Sequence, residues 1–250
     1  MTLDREKLLK EHYVFKRSFL KEAEIHATFP EIDAEQMNAN VREFLNFAFK
    51  VDPTTVKESV EDGVEITTKN NDLRFKFERN LAEVSTSGKD YRSFKESILK
   101  FSRPLAEYAR MVANTDRLSS VSVTKVNSWK LRADNPSQFI QEGLEFIFRK
   151  GRIAEMPKIE FPVDDGGPKK VSIVSNPIIP NIEYKLKLVL EVCAAEDNYI
   201  EYNLITKACS NKEVDIKSFP RMSFDLNNFL YWVFIDMMSD NVLELMEKEE

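Results

Sequence analysis

An alternation of apolar and polar residues in the segment 182–210 limits the possible folds of this chain more than any other feature. Between 182 and 192 every even position is apolar, and four of the five odd positions are charged. A period of two with one apolar side predicts a β-strand that is buried on one face. The returning stretch repeats the pattern, and the two apolar sides coincide only if Val192 lies opposite Tyr202. The segment therefore predicts a β-hairpin with 196–198 as its loop.

A three-stranded meander is predicted earlier in the chain, and its register follows from two turns. If Asn70-Asn71 forms a two-residue turn, Ile66 lies opposite Phe75. If Arg79-Asn80 forms the next turn, Phe75 lies opposite Val84. Because the two turns independently place the same side chains on one face, we expect an amphipathic antiparallel sheet.

Helical periodicity and capping residues predict most of the remaining elements. Asp33 and Asn135 are suitable N-cap residues, and an apolar stripe that continues in phase through Pro104 predicts a kinked helix or two abutting helices. The predicted elements are a short charged helix within 3–12, a strand at 19–29, a helix from Asp33 to about Phe49, a helix at 90–112, a strand at 118–131, a helix from Pro136, an edge strand at 171–174 and a long helix at 223–246.

The order strand, helix, strands, helix thus occurs twice. The end of the second helical segment, 143–148, also echoes the end of the first, 44–49. We interpret the chain as an α+β protein, in which helices pack on one face of antiparallel sheet and a unit is internally duplicated. The predicted halves are 1–116 and 117–250, packed together as one compact unit, and they could form one sheet or two. A chance similarity of two α+β halves is the alternative.

Charge and segment composition exclude several classes of protein. The net charge of −6 argues against nucleic acid as a partner, because phosphate binding needs a basic surface. The charged N-terminus lacks the apolar core of a signal peptide, and no apolar run approaches the ~18–20 residues of a membrane span. We expect a cytoplasmic protein with free thiols at Cys193 and Cys209, and a disulfide is the alternative.

Catalytic and metal-binding motifs are not evident in the sequence. Six glycines form no phosphate-binding loop, and the histidines are His12 and His26, without the close His and Cys spacing of zinc sites. His26 falls on the polar side of a strand, where a surface imidazole is the simpler interpretation. The carboxylates of Glu22, Glu24 and Asp164-Asp165 are interpreted as solvated surface charge. We therefore predict no catalytic residue, no cofactor and no metal site.

The C-terminal helix carries aromatic residues on more than one side. Tyr231, Trp232 and Ile235 lie opposite its main apolar stripe, and aromatic side chains often anchor interfaces. These three residues are the predicted contact surface. Coverage of Trp232 by the kinked helix or by the segment 150–181 is the alternative.

The order of features resembles a sporadically distributed family of roughly 250-residue bacterial proteins of unknown function. The resemblance rests on a first strand that ends in Ile25-His26-Ala27-Thr28-Phe29, on the passage from 81–86 to 91–94, and on the aromatic helix at 226–234. It covers nearly the whole chain. The family has no established activity, so the resemblance implies no catalytic residue.

Three functions remain open from the sequence. The leading hypothesis is a non-enzymatic interaction protein that contacts a protein partner or a second copy of itself as a homodimer. The alternative is a small-molecule or peptide-binding protein with a pocket under the segment 150–181, since half of the prolines lie there. A carboxylate-based or metal-dependent enzyme is the third.

Overall fold

One continuous antiparallel sheet of nine strands forms the centre of the protein and confirms the predicted α+β class. The structure, a computed structural model, describes residues 4–10, 13, 15–60, 63–68, 73–87, 102, 105–106, 116–132, 136–150, 170–179, 182–195 and 199–248. The strand order across the sheet is β2-β3-β4-β5-β1-β7-β10-β9-β8, and two further short strands, β6 and β11, pair with each other. The bounds are β1 (Leu20–Thr28), β2 (Thr55–Val60), β3 (Gly63–Thr68), β4 (Leu73–Phe77), β5 (Leu81–Ser87), β6 (Arg117–Leu118), β7 (Ser120–Arg132), β8 (Lys170–Ser175), β9 (Tyr184–Ala195), β10 (Tyr199–Ser210) and β11 (Val214–Asp215).

The predicted strand registers are confirmed. Val192 lies opposite Tyr202 in the hairpin, while Phe75 lies opposite both Ile66 and Val84 in the meander. The loop residues 69–72 and 196–198 lie outside the described residues. The meander also has a fourth strand, β2, that the sequence does not predict, because most of its residues are exposed and it shows no alternation of burial.

The helices are α1 (Arg5–Lys10), α2 (Ala34–Val51), α3 (Pro136–Ile147), α4 (Phe219–Met237) and α5 (Asp240–Met246). Asp33 caps α2 as predicted, and its Oδ1 accepts a hydrogen bond from the Gln36 N–H at 2.7 Å. The prediction of a single helix at 223–246 is wrong. Met238 is extended and pairs with Phe148, and Ser239 then caps α5 by accepting a bond from the Val242 N–H. The helix predicted at 90–112 lies largely outside the described residues.

The helices pack on one side of the sheet, which we call the core face. Phe44 of α2 lies against Phe75 of β4, with ring centroids 5.1 Å apart. Helix α3 approaches β10 so closely that a Cβ atom at Gly143 would stand 2.2 Å from the hydroxyl oxygen of Tyr202. The opposite side of the sheet carries the polar positions of the alternating strands, and we call it the polar face.

The two halves of the chain are arranged as mirror images in strand order. Each half places its first strand, β1 or β7, at the centre and the last strand of its meander or hairpin, β5 or β10, beside it. Since β1 pairs with β7, the halves share one sheet, not two. This order fits an internal duplication, while the division into 1–116 and 117–250 stays a prediction.

Candidate functional site

The polar face of the first half carries charges that alternate in sign. Glu65, Lys76, Glu83 and His26 occupy successive opposite positions on β3, β4, β5 and β1. Arg74, on the adjacent row, forms an ion pair with Glu22 at 3.2 Å. Opposite charges on neighbouring strands stabilise a sheet, so this part of the polar face is electrostatically self-sufficient.

Three of these side chains converge at the middle of the sheet, and we call Glu24, His26 and Glu83 the Glu–His–Glu cluster. The Nε2 atom of His26 lies 3.0 Å from Oε2 of Glu24 and 3.5 Å from Oε2 of Glu83. The three side chains are only 16–21% exposed. His26 is therefore held between two carboxylates and is not the solvated imidazole that the sequence suggests.

The environments of the two carboxylates differ. The hydrogen bond with His26 lowers the pKa of Glu24, whereas burial raises the pKa of Glu83. Two neighbouring carboxyl groups with pKa values moved in opposite directions are typical of functional sites, although ion-pair networks also produce them. Among the described residues, this cluster is the group of His, Cys, Asp and Glu whose ligand atoms all lie within 4.8 Å of one another, so it could hold a metal ion.

The second half carries a cleft at the edge of the sheet. Strand β8 ends at Ser175, opposite Leu188, and the residues 176–179 and 182 then line a cavity of about 530 Å³ beside the start of β9. On its other side this cavity is lined by Lys185, Lys187 and Lys207, and we call it the lysine cleft.

The lysines of this cleft are like charges on adjacent positions. Lys187 lies directly opposite Lys207, and Lys185 follows on the same side of β9. None of the three forms an ion pair with another described residue. Like charges directly opposite each other destabilise a sheet by about 0.2–1 kcal/mol relative to a neutral pair. The cleft therefore offers three ammonium groups, beside the apolar side chains of Pro177 and Ile182, to a negatively charged group.

A short row of residues joins the cluster to the cleft. Thr124 of β7 lies directly opposite Glu24 on one side and Lys207 on the other. The charge of Lys207 also contributes to the lowered pKa of Glu24, after the hydrogen bond from His26. Thr124 is 6% exposed, and its Oγ1 has no hydrogen-bond partner among the described residues.

Neither cysteine forms a disulfide, as predicted, and Cys209 lines the cleft while Cys193 does not. Cys209 lies opposite Lys185, whereas Cys193 lies opposite Glu201 near the far end of the hairpin. Both side chains are half-buried.

The predicted contact surface on the C-terminal helix is reduced by α1. Arg5 donates hydrogen bonds to the carbonyl oxygens of Ile235 and Met238, and Ile235 is fully buried. Tyr231 is half-buried, and its hydroxyl accepts a bond from the Tyr13 N–H at 3.1 Å. Ile235 thus presents no surface to a partner in this fold, whereas Trp232 remains 38% exposed.

A buried lysine on the core face was missed by reasoning from the sequence. Lys125 of β7 lies between Ala23 and Thr206, is 8% exposed, and has a pKa that burial lowers to about 7. The signal was present, because Val121, Val123 and Trp129 place position 125 on the same side of the strand.

The fold and the polar face together define an α+β protein with a nine-stranded antiparallel sheet, a central Glu–His–Glu cluster and a cationic edge cleft. No protein-family model matches the chain, and no curated protein matches it either. The resemblance to the sporadically distributed bacterial family therefore stays an expectation from the order of features. Within the described residues, no helix has the length and apolar character needed to cross a membrane.

Proposed function

We propose that this protein binds a small anionic molecule with an apolar part in the lysine cleft. The observation that carries the proposal is the position of Lys187 opposite Lys207, with Lys185 beside them, in one cavity. The proposal develops the small-molecule alternative drawn from the sequence, and it places the ligand beside the end of the segment 150–181.

Electrostatics supports an anionic ligand. A sheet gains nothing from lysines at opposite positions, because their charges repel each other. A bound carboxylate, sulfonate or phosphate would turn that repulsion into attraction and would accept charge-assisted hydrogen bonds from the ammonium groups. The strands of the first half carry charges that alternate in sign. The fold therefore does not require lysines at opposite positions.

The size and lining of the cleft support a ligand that is also partly apolar. A volume of about 530 Å³ falls within the ~300–1,000 Å³ of typical small-molecule sites. Pro177, Ile179 and Ile182 line the same cleft as the lysines. An amphipathic anion would place its charge on Lys187 and Lys207 and its apolar part against these side chains.

Fluorescence titration with anilinonaphthalene sulfonate, an aromatic sulfonate, tests the proposal. Lys187→Gln and Lys207→Gln should each weaken binding roughly tenfold, because a hydrogen bond to a charged group contributes about 1.5–3 kcal/mol. Lys212→Gln is the matched control, since Lys212 is 80% exposed and does not line the cleft. Equal binding by all four proteins would refute the proposal.

The two thiols give a second test within one molecule. A bound ligand should slow alkylation of Cys209, which lines the cleft, and should leave the alkylation rate of Cys193 unchanged. Mass spectrometry of the two labelled peptides measures both rates in the same sample. Equal protection of both thiols would indicate a general stabilisation of the fold instead of binding in the cleft.

A protein contact through α4 is the second candidate function, and it retains the leading hypothesis from the sequence. Trp232 and Phe224, which are 38% and 36% exposed, lie on the outer side of this helix. The partner would be another protein or a second copy of the chain. Light scattering after size exclusion tests self-association: Trp232→Ala should dissociate a dimer, while Tyr199→Ala, at an exposed aromatic of β10, should not.

The location of either function is proposed to be the cytoplasm. Cys193 and Cys209 form no disulfide, which fits a reducing compartment. The net charge of −6 supports partners other than nucleic acid.

A further inference from the structure

We propose that Glu24, His26 and Glu83 bind one divalent transition-metal ion at the middle of the polar face, with Thr124 beside it. This site is separate from the lysine cleft and does not depend on the ligand proposed there. It also revises the expectation from the sequence that the chain has no metal site.

The separations of the His26 nitrogen from the two carboxylate oxygens match those of a coordination shell. Metal–ligand bonds of about 2.0–2.2 Å place neighbouring ligand atoms roughly 3.0–3.5 Å apart in octahedral or tetrahedral geometry. Nε2 of His26 lies 3.0 Å from the Glu24 oxygen and 3.5 Å from the Glu83 oxygen. A single ion can therefore contact all three residues after small side-chain movements.

The donor set selects the kind of metal. One imidazole nitrogen with two carboxylates suits Zn²⁺, Mn²⁺ or Fe²⁺, whereas Mg²⁺ and Ca²⁺ prefer oxygen ligands alone. The cation would lie between two carboxylates, Glu24 and Glu83, that both contact the same imidazole.

Thr124 provides an independent observation at the same place. Its hydroxyl is buried and has no hydrogen-bond partner in the described part of the chain, which is costly for a polar group. The register places Thr124 directly opposite Glu24, on the same face of the sheet as the three ligand residues. A hydroxyl without a described hydrogen-bond partner, in the row of Glu24, is consistent with a bound ion or its water at the cluster.

The position in the sheet favours a preformed site. β1 is the middle strand of the nine, and β5 and β7 hold it on both sides. Glu24 and His26 are two residues apart on β1, and Glu83 is opposite His26. Because all three side chains project from hydrogen-bonded strands, little order has to be gained on binding.

Isothermal titration of the chelator-treated 250-residue chain with Zn²⁺ tests the proposal. We expect one Zn²⁺ per chain, and no comparable binding of Mg²⁺. His26→Ala and Glu83→Gln should each weaken binding by about tenfold or more, and Thr124→Val by a smaller factor. Glu22→Gln is the matched control, because Glu22 is a carboxylate on the same strand face that pairs with Arg74 instead.

The imidazole signals in an NMR spectrum give a readout beyond affinity. The chain has two histidines, so Zn²⁺ should shift the side-chain nitrogen signals of His26 and leave those of His12 in place. His12→Ala should bind as the wild type does. Absence of stoichiometric Zn²⁺ binding at millimolar concentration, or equal binding by His26→Ala, would overturn the proposal and leave an ordinary ion-paired histidine.

Discussion

The two halves of the sheet place their charges on the polar face in opposite ways. In the first half Glu65, Lys76 and Glu83 alternate across three strands, so each charge has a neighbour of opposite sign. In the second half Lys187 faces Lys207, and neither forms an ion pair with a described residue. The same strand arrangement thus tolerates both patterns, and the difference cannot be a requirement of the fold.

The two charge patterns contribute differently to the stability of the sheet. Alternating charges stabilise the strands that carry them, whereas clustered like charges do so only when a counter-ion or ligand is bound. The halves differ on the core face as well, where β1 presents Ala23 and β7 presents the lysine opposite it, Lys125. The second half therefore carries the larger electrostatic cost on both faces of the sheet.

The largest expected effect is that of removing this core-face lysine. Burial lowers the pKa of Lys125 from 10.5 to about 7, so the charged form destabilises the fold. The unfolded chain binds this proton more tightly, and the stability of the wild type should rise between about pH 7 and pH 10.5, by up to about 5 kcal/mol. Lys125→Met should be more stable at pH 7 and should lose this rise.

Urea denaturation at several pH values measures the effect. Lys130→Met, which removes an exposed lysine from the same strand, is the control and should follow the wild-type curve. A parallel pH dependence of Lys125→Met and the wild type would show that Lys125 is not the group responsible.

The next largest effect concerns the contact between helix and sheet in the first half. Phe44 of α2 fills the space over Phe75 and Phe77, with centroids at 5.1 and 4.9 Å. Phe44→Ala should cost about 3–5 kcal/mol, because it leaves a cavity in the core. Thermal unfolding followed by circular dichroism measures this cost, and Phe49→Ala on the exposed side of the same helix, where Phe49 is 44% exposed, should change it far less.

The corresponding helix–sheet contact in the second half has its large side chain on the strand. Gly143 of α3 leaves the space that Tyr202 of β10 fills. A Cβ at position 143 would stand 2.2 Å from the tyrosine oxygen and 2.6 Å from Cζ, and Tyr202 is fully buried. Gly143→Ala should therefore cost about 1–3 kcal/mol despite the better helix propensity of alanine. Adding Tyr202→Phe should restore part of this loss in the same unfolding experiment, and full additivity would argue against the contact.

The smallest expected effects come from reversing one charge in each half of the sheet. Lys187→Glu should stabilise the second half by about 0.5–1 kcal/mol, since it creates an attraction to Lys207. Lys76→Glu should destabilise the first half by a similar amount, because it places three acidic residues in a row. The first variant should also lose binding of the sulfonate probe. Changes of the same sign in both variants would remove the distinction between the halves.

The sequence predicts the local pairings well and the non-local ones poorly. The turns around Asn80 and the alternation before Val192 set the register of neighbouring strands without information from elsewhere. The pairing of β1 with β5 and β7 joins segments far apart in sequence, so nothing local indicates that Glu83 meets His26. The edge strand β2 lacks alternation because it is largely exposed, and it was missed for that reason.

The sequence contains enough information to predict the lysine side of the candidate site. The lysines at 185 and 187 alternate with apolar residues, and the predicted register already implies that Lys187 faces Lys207. The apolar segment that closes the cleft cannot be placed by periodicity, since it contains prolines and follows an edge strand. A cleft that depends on the path of such a segment is visible only in three dimensions.

The central position of β1 has a consequence for synthesis on the ribosome. This strand emerges before either of its neighbours, because β5 begins at Leu81 and β7 at Ser120. At roughly 5–20 residues per second, its second edge stays unpaired for on the order of ten seconds. Charged side chains on an open strand discourage pairing with other chains. Glu22 and Glu24 would thus protect the nascent chain from aggregation before they take their places in the finished sheet.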